Sequence, residues 1–130
     1  MELTISHEQG RVPITIFQVQ GLINMGSAKT LEENAKQEYA AGMRYLLIDL
    51  SQVSSLTSAG LRALHLINNL LSSSQDKDSP AVEQEKPDEQ KSPFLKLLNP
   101  QPDIRRVLNI SGFDTYIEVL DDRQTAIDSF

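Results

Sequence analysis

The sequence predicts an α/β fold, a mixed β-sheet with helices packed against it, and three observations carry that reading. Leu3 and Ile5 alternate with polar residues ahead of a second strand-like run, as in an opening hairpin. Strand-like and helix-like patterns then alternate to the end of the chain. Between them, Tyr45-Leu46-Leu47-Ile48 is apolar on both alternating faces, which is how a central strand covered on both sides reads.

Each element has a local reason. Gln9-Gly10-Arg11 offers a turn, and Ile14, Ile16 and Val19 follow with strand composition. Pro13 cannot donate a ladder hydrogen bond, so it belongs at an edge, at a strand start or at a gap in the ladder. From Ser27 to Ala41 the composition is helical. Ser27 is the expected N-cap, Leu31, Ala35 and Tyr39 share a face, Glu32 and Lys36 are spaced to pair, and Gly42 ends the helix. The strand from Tyr45 is expected to close at Asp49, followed by a polar turn. Ala63, Leu66, Ile67, Leu70 and Leu71 then recur at amphipathic spacing in a helix beginning near Ser58 or Ala59.

Residues 72–93 differ from everything around them. The stretch SSSQDKDSPAVEQEKPDEQKSP holds three Pro, six acids and three Lys, with Ala81 and Val82 as its only apolar members. It buries too little to offset the entropy of ordering, and is expected to be a flexible acidic insertion within one domain. It carries half of the net charge of minus six. Beyond it, Phe94–Leu98 reads as a short strand. Pro102 suits a first helical position ahead of Ile104, Val107 and Leu108, with Gly112 as the stop. Tyr116–Leu120 reads as a last strand and Asp122–Phe130 as a terminal helix with Ala126 and Ile127 inward.

Composition excludes several function classes. There is no Cys, so disulfides, thiolate metal sites and Cys nucleophiles are absent. His7 and His65 lack metal-ligand spacing, and no metal or other cofactor is expected. A pI near 4.8 disfavours direct nucleic-acid binding. No segment reads as a targeting peptide or a membrane span, so a cytoplasmic protein with no membrane insertion is expected. No segment supplies a nucleophile with its base, or paired carboxylates, so catalytic residues are expected to be absent and the protein is read as a non-enzyme.

The sharpest local signal is Leu56-Thr57-Ser58-Ala59-Gly60-Leu61-Arg62. Thr57 or Ser58 serves as an N-cap, while Ala59 and Gly60 keep the first turn of the helix thin enough for close approach. Leu46-Leu47-Ile48-Asp49-Leu50, followed by Ser58-Ala59-Gly60-Leu61, resembles the STAS domain pattern of bacterial anti-sigma factor antagonists and sulfate transporter tails. Gly21-Leu22-Ile23 and Val107-Leu108-x-Ile110-x-Gly112-Phe113 resemble further pieces of the same family. The resemblance covers nearly the whole chain apart from 72–93 and implies a single STAS domain over 1–130.

What the resemblance implies is partner switching. The unmodified protein binds an anti-sigma factor that is also a serine kinase, and phosphorylation ends the binding; a phosphatase would reverse it. The matching acceptor is Ser58, with Thr57 as the neighbouring alternative. The implied partner-binding residues are Thr57, Ser58, Ala59, Gly60, Arg62 and Asp49. In the best-known members an Asp precedes the serine and a second hydroxyl follows it, whereas Thr57 and Ala59 stand here. The alternative is a STAS adaptor or scaffold subunit that is not phosphorylated, serving a stress-signalling assembly or a lipid or anion transport complex, with Ser58 as only a helix cap.

Overall fold

The computed structural model describes residues 1–76 and 91–130, with side chains from 73 to 76 outside the description. A five-stranded sheet runs in the order β1 (Glu2–Gln9), β2 (Pro13–Ile23), β3 (Leu46–Leu56), β4 (Leu95–Leu98) and β5 (Glu118–Leu120). β1 pairs antiparallel with β2, and every later neighbour is parallel. Parallel neighbours need crossovers. These are α1 (Met25–Ala40), α2 (Ser58–Asp76) and α3 (Pro102–Ile110), the last followed by a 3-10 turn at Phe113–Thr115; α4 (Arg123–Ser129) closes the described chain.

The alternation of side chains along β3 divides the core. Leu46, Ile48 and Leu50 join Leu31 and Ala35 of α1, Leu64 and Ile67 of α2, and Ile104 and Leu108 of α3 on one face. Leu47 points the other way, joining Ile14, Ile16, Leu98 and the α4 residues Ala126 and Ile127. Residues 46–50 are all buried, as expected of a strand covered on both sides. Three helices therefore cover one face and the short α4 covers part of the other.

Several elements differ from the sequence expectation, each for a local reason. α1 begins earlier than expected, because Asn24 rather than Ser27 is its N-cap. Asn24 Oδ1 accepts from the Ser27 amide at 3.1 Å while Ser27 Oγ accepts from the Asn24 amide at 2.8 Å, a reciprocal capping box. Its far end closes as expected at Gly42, whose φ of +118° suits glycine; Gly42 donates to Tyr39 and Met43 to Glu38, the paired bonds of a Schellman motif. β3 does not stop at Asp49. It continues to Leu56 against β2, with two register shifts that place an extra β3 residue opposite Val19 and another beside Gly21. The bulges break the period-two pattern, which is why the second half of β3 reads as a turn.

On α2 the buried positions are Gly60, Ala63, Leu64, Ile67 and Leu71, with Leu66 and Leu70 half-buried, so its inner face is rotated slightly toward Leu64. α2 also extends to Asp76, making the first five residues of the expected insertion helical, while 77–90 lie outside the described residues. β4 and β5 are shorter than expected: Phe94 is half-buried beside β4, and Ile117 is buried just before β5. Pro13 opens β2 opposite Gln9, Pro102 takes the first turn of α3, and Glu32 and Lys36 pair at 3.5 Å, all as the sequence predicts.

Asp122 caps α4 through its carboxylate, which accepts from the Thr125 amide and the Thr125 hydroxyl, each at 2.9 Å. The Thr125 amide first, and its hydroxyl second, hold this carboxyl below the usual Asp value. The cap is therefore complete above the ordinary carboxylate range and is lost as pH falls through the lowered value. An NMR titration should show the Thr125 amide proton moving with a midpoint below about 3.9, the unperturbed Asp value. A midpoint at or above it would contradict this geometry.

Candidate functional site

β2 and β3 end side by side, with Ile23 in register with Leu56, and each strand feeds directly into a helix. The N-termini of α1 and α2 thus meet at the carboxyl edge of the parallel strands, the edge where open α/β sheets gather ligands. The two are locked together by one acceptor. Ile23 O takes the Thr57 amide at 3.1 Å and the Thr57 hydroxyl at 3.0 Å.

Thr57 is the N-cap of α2. Besides donating to Ile23 O, its Oγ1 accepts from the Gly60 amide at 3.4 Å, and its carbonyl accepts from the Leu61 amide at 3.0 Å. Gly60 is buried because the junction leaves no room at that position. A Cβ there would lie 2.5 Å from Leu56 Cδ1, 2.8 Å from Ile23 Cγ2 and 3.2 Å from Ile23 O. The thin first turn expected from the sequence is therefore a packing requirement against the end of β2.

Ser58 is different from its neighbour. It is the first residue of α2, it is exposed, and its hydroxyl has no partner among the described residues. Its amide and that of Ala59 likewise meet no acceptor there, so the unpaired N–H groups of the helix end face solvent beside the free hydroxyl. Arg62 is exposed one turn further on, at the i,i+4 spacing that brings side chains together. Of the two capping candidates in the sequence, the structure makes Thr57 the cap and leaves Ser58 free.

Asp49 does not join this cluster. It is 8% exposed, sits at the first bulge of β3, and accepts from the Ser51 amide at 2.9 Å. Leu56 lies seven positions further along the strand, on the order of 20 Å of extended chain, because β3 continues where a turn was expected. Its contact is the local amide bond of a bulge. Thr57, Ser58, Ala59, Gly60 and Arg62 come together; Asp49 stays mid-sheet.

Sequence reasoning missed two features. His7 Nε2 lies 3.4 Å from Glu38 Oε1, linking the edge strand β1 to α1, and their 31-residue separation gives no sequence signal. These two line a cleft of about 570 Å³ with Pro13, Met43, Arg44 and Tyr45, at the opposite end of β2 and β3 from Ser58. Lys96, on β4, is 6% exposed and donates to Glu118 Oε1 at 3.1 Å, to Ser129 O at 3.1 Å and to Ser129 Oγ at 2.9 Å. A lysine within Leu-Lys-Leu-Leu is its only trace in the sequence. Neither feature touches the Thr57–Arg62 segment.

The STAS domain family model matches residues 6–75, more than half of the chain, from the second half of β1 through nearly all of α2. The chain belongs to the STAS domain family. Relatives agree in sequence and shape. A Bordetella bronchiseptica protein described as an anti-sigma factor antagonist, BtrV, is 28% identical over 130 residues, covering 100% of this chain and 95% of that one. The crystal structure of a Thermotoga maritima protein described in the same terms superposes with a TM-score of 0.71 at 21% identity, covering 88% of this chain and 85% of that one. The cell fate determinant SpoIIAA of Bacillus, in its phosphorylated form, superposes with a TM-score of 0.62 at 14% identity, covering 96% and 97%. The fold of this STAS domain is therefore the mixed sheet of SpoIIAA. No helix among the described residues is long and apolar enough to cross a membrane.

The two adjacent hydroxyls of this STAS domain should separate cleanly on mutation. Thr57→Ala removes a cap and a cross-junction bond and should cost about 1 kcal/mol in denaturant unfolding, whereas Ser58→Ala should stay within about 0.5 kcal/mol of wild type. Gly60→Ala forces a methyl group into Ile23 and Leu56 and should cost about 1–3 kcal/mol. Equal losses for Thr57→Ala and Ser58→Ala would mean that the cap has been misassigned.

Proposed function

We propose that this STAS domain is an anti-sigma factor antagonist, a protein-binding switch whose partner is an anti-sigma factor with serine kinase activity and whose control point is Ser58. The observation that carries the reading is the division of labour at 57–58. Thr57 uses its hydroxyl as both donor and acceptor inside the fold, while Ser58 presents a free hydroxyl on the surface of the same turn. Phosphoryl transfer would form a bond from Ser58 Oγ to the γ-phosphorus of ATP, break the bond to ADP and release the hydroxyl proton. Support comes from the likeness to BtrV and from SpoIIAA, which has been solved in both phosphorylated and unphosphorylated forms.

The physics of the site suits such a switch. A phosphate adds about −1.5 to −2 charge and three acceptor oxygens. At the first helical residue it meets unpaired amides and the positive end of the helix dipole, with Arg62 one turn away. Ser58 has no hydrogen-bond partner among the described residues, so its modification would alter a docking surface and leave the Ile23–Thr57 lock intact. Thr57, Ala59, Gly60 and Arg62 then shape that surface around Ser58. A phosphatase would return the protein to its binding form.

Incubation with the anti-sigma factor kinases of the same genome and Mg-ATP should add one phosphate, located at Ser58 by mass spectrometry and absent in Ser58→Ala. Ser58→Ala should keep partner binding, and Ser58→Asp should weaken it at least about a hundredfold, near 2.7 kcal/mol. An unmodified chain, together with a Ser58→Asp variant that binds like wild type, would leave the adaptor reading in place.

A further inference from the structure

The cleft of about 570 Å³ opens where β1, the start of β2 and the last turn of α1 meet, at the far end of the sheet from Ser58. That volume is within the range of small-molecule sites. Ile14 and Met43, both buried, supply apolar wall. Its polar groups are what make it specific.

Thr15 lines the cleft and is 5% exposed, yet its hydroxyl has no hydrogen-bond partner among the described residues. A hydroxyl placed so deep normally finds one. Along β2, Ile14 and Ile16 turn to the α4 side while Phe17 joins the core under α1, so Thr15 faces α1. Its cross-strand neighbour is His7, whose Nε2 lies 3.4 Å from Glu38 Oε1 on α1. Thr15, His7 and Glu38 therefore form one polar group, with a hydroxyl and a carboxylate as acceptors.

Arg44 brings the opposite charge to the same cleft. Its Nη1 donates to Tyr39 O at 3.0 Å and to Met43 O at 2.7 Å, and its Cζ sits 3.9 Å from the centre of the Tyr39 ring, which fixes the guanidinium plane. Nε and Nη2 have no partner among the described residues, and no described carboxylate pairs with this arginine. Arg44 and Glu38 thus line one cleft with opposite charges that do not meet. Glu8, the other carboxylate there, is held by Arg123 at 3.3 Å.

We propose that the cleft binds a free α-amino acid with a large apolar side chain. Its carboxylate takes Nε and Nη2 of Arg44 as a bidentate pair, its ammonium donates to Glu38 and to the Thr15 hydroxyl, and its side chain rests on Ile14 and Met43. The charges select a zwitterion, since a purely anionic ligand leaves Glu38 opposed and a purely cationic one leaves Arg44 opposed. The volume selects a side chain of leucine or phenylalanine size.

The test uses the full chain, labelled with nitrogen-15, and four probes: L-phenylalanine, 3-phenylpropionate, phenethylamine and L-alanine. L-Phenylalanine should move the amides of His7, Thr15 and 42–45, with half-saturation below about 1 mM. The three analogues lack in turn the ammonium, the carboxylate and the large apolar group, and each should bind at least about tenfold more weakly. Glu38→Gln and Thr15→Val keep the shape of the cleft and should each weaken L-phenylalanine at least about fivefold with no change in melting temperature. Arg44→Gln should weaken it at least about tenfold; because it also frees two backbone carbonyls, the other two variants decide the matter if it does not fold. No response at these amides, equal binding of any analogue, or undiminished binding by both Glu38→Gln and Thr15→Val would overturn the proposal.

Discussion

One carbonyl holds the functional end of this domain together. Ile23 O, at the last residue of β2, receives both the amide and the hydroxyl of Thr57, at the start of α2. The register of β2 and β3, the angle at which both chains turn into helices, and the contact of Gly60 with Ile23 and Leu56 must all be satisfied around it. A residue with no hydroxyl at 57 would leave the Gly60 amide without its cap, and a residue with a Cβ at 60 would push α2 off the strand end. These constraints explain a small-residue motif at this spot without invoking a partner.

The constraint also explains the bulges of β3. α1 and α2 must begin from neighbouring strand ends, and the 11-residue strands β2 and β3 reach that point together only because β3 carries extra residues opposite Val19 and beside Gly21. The Asp49 carboxylate bonds the Ser51 amide at the first bulge, and Gln101 Nε2 donates to Ser51 O at 3.0 Å from the start of α3. Asp49 thus serves strand geometry, which accounts for a buried acid in a central strand.

What the sequence made legible follows from how local each feature is. Hairpin, helix faces, Pro13, Pro102 and the Glu32–Lys36 pair rest on residues at most a few positions apart, and they stand where expected. The second half of β3, beyond Asp49, is illegible because a bulge destroys the alternation by which a strand is read. Asn24 and Ser27 are equally good capping residues by type, and only the reciprocal bond pair decides between them. Lys96 and the His7–Glu38 contact depend on partners 22 to 33 residues away, which no periodicity encodes. At the candidate site, the segment was legible and the roles of its two hydroxyls were not.

Those roles carry the last step. A switch residue must be able to change charge without changing the fold, and a cap must not. Placing both tasks on one hydroxyl would make modification of the control point a destabilising event, since it would remove a helix cap and open the β2–α2 junction. Here Thr57 turns its hydroxyl inward as the cap and Ser58 stands outward, so under the proposed switch the positive helix end would stay formed whichever state Ser58 were in. A modification of Ser58 would then act at the surface and not in the fold. Because the Thr57 bonds to Ile23 O hold the start of α2 against the end of β2, the turn that carries Ser58 is preorganised, and under the proposed switch a change of charge there would reach a docked partner with little relief from local rearrangement.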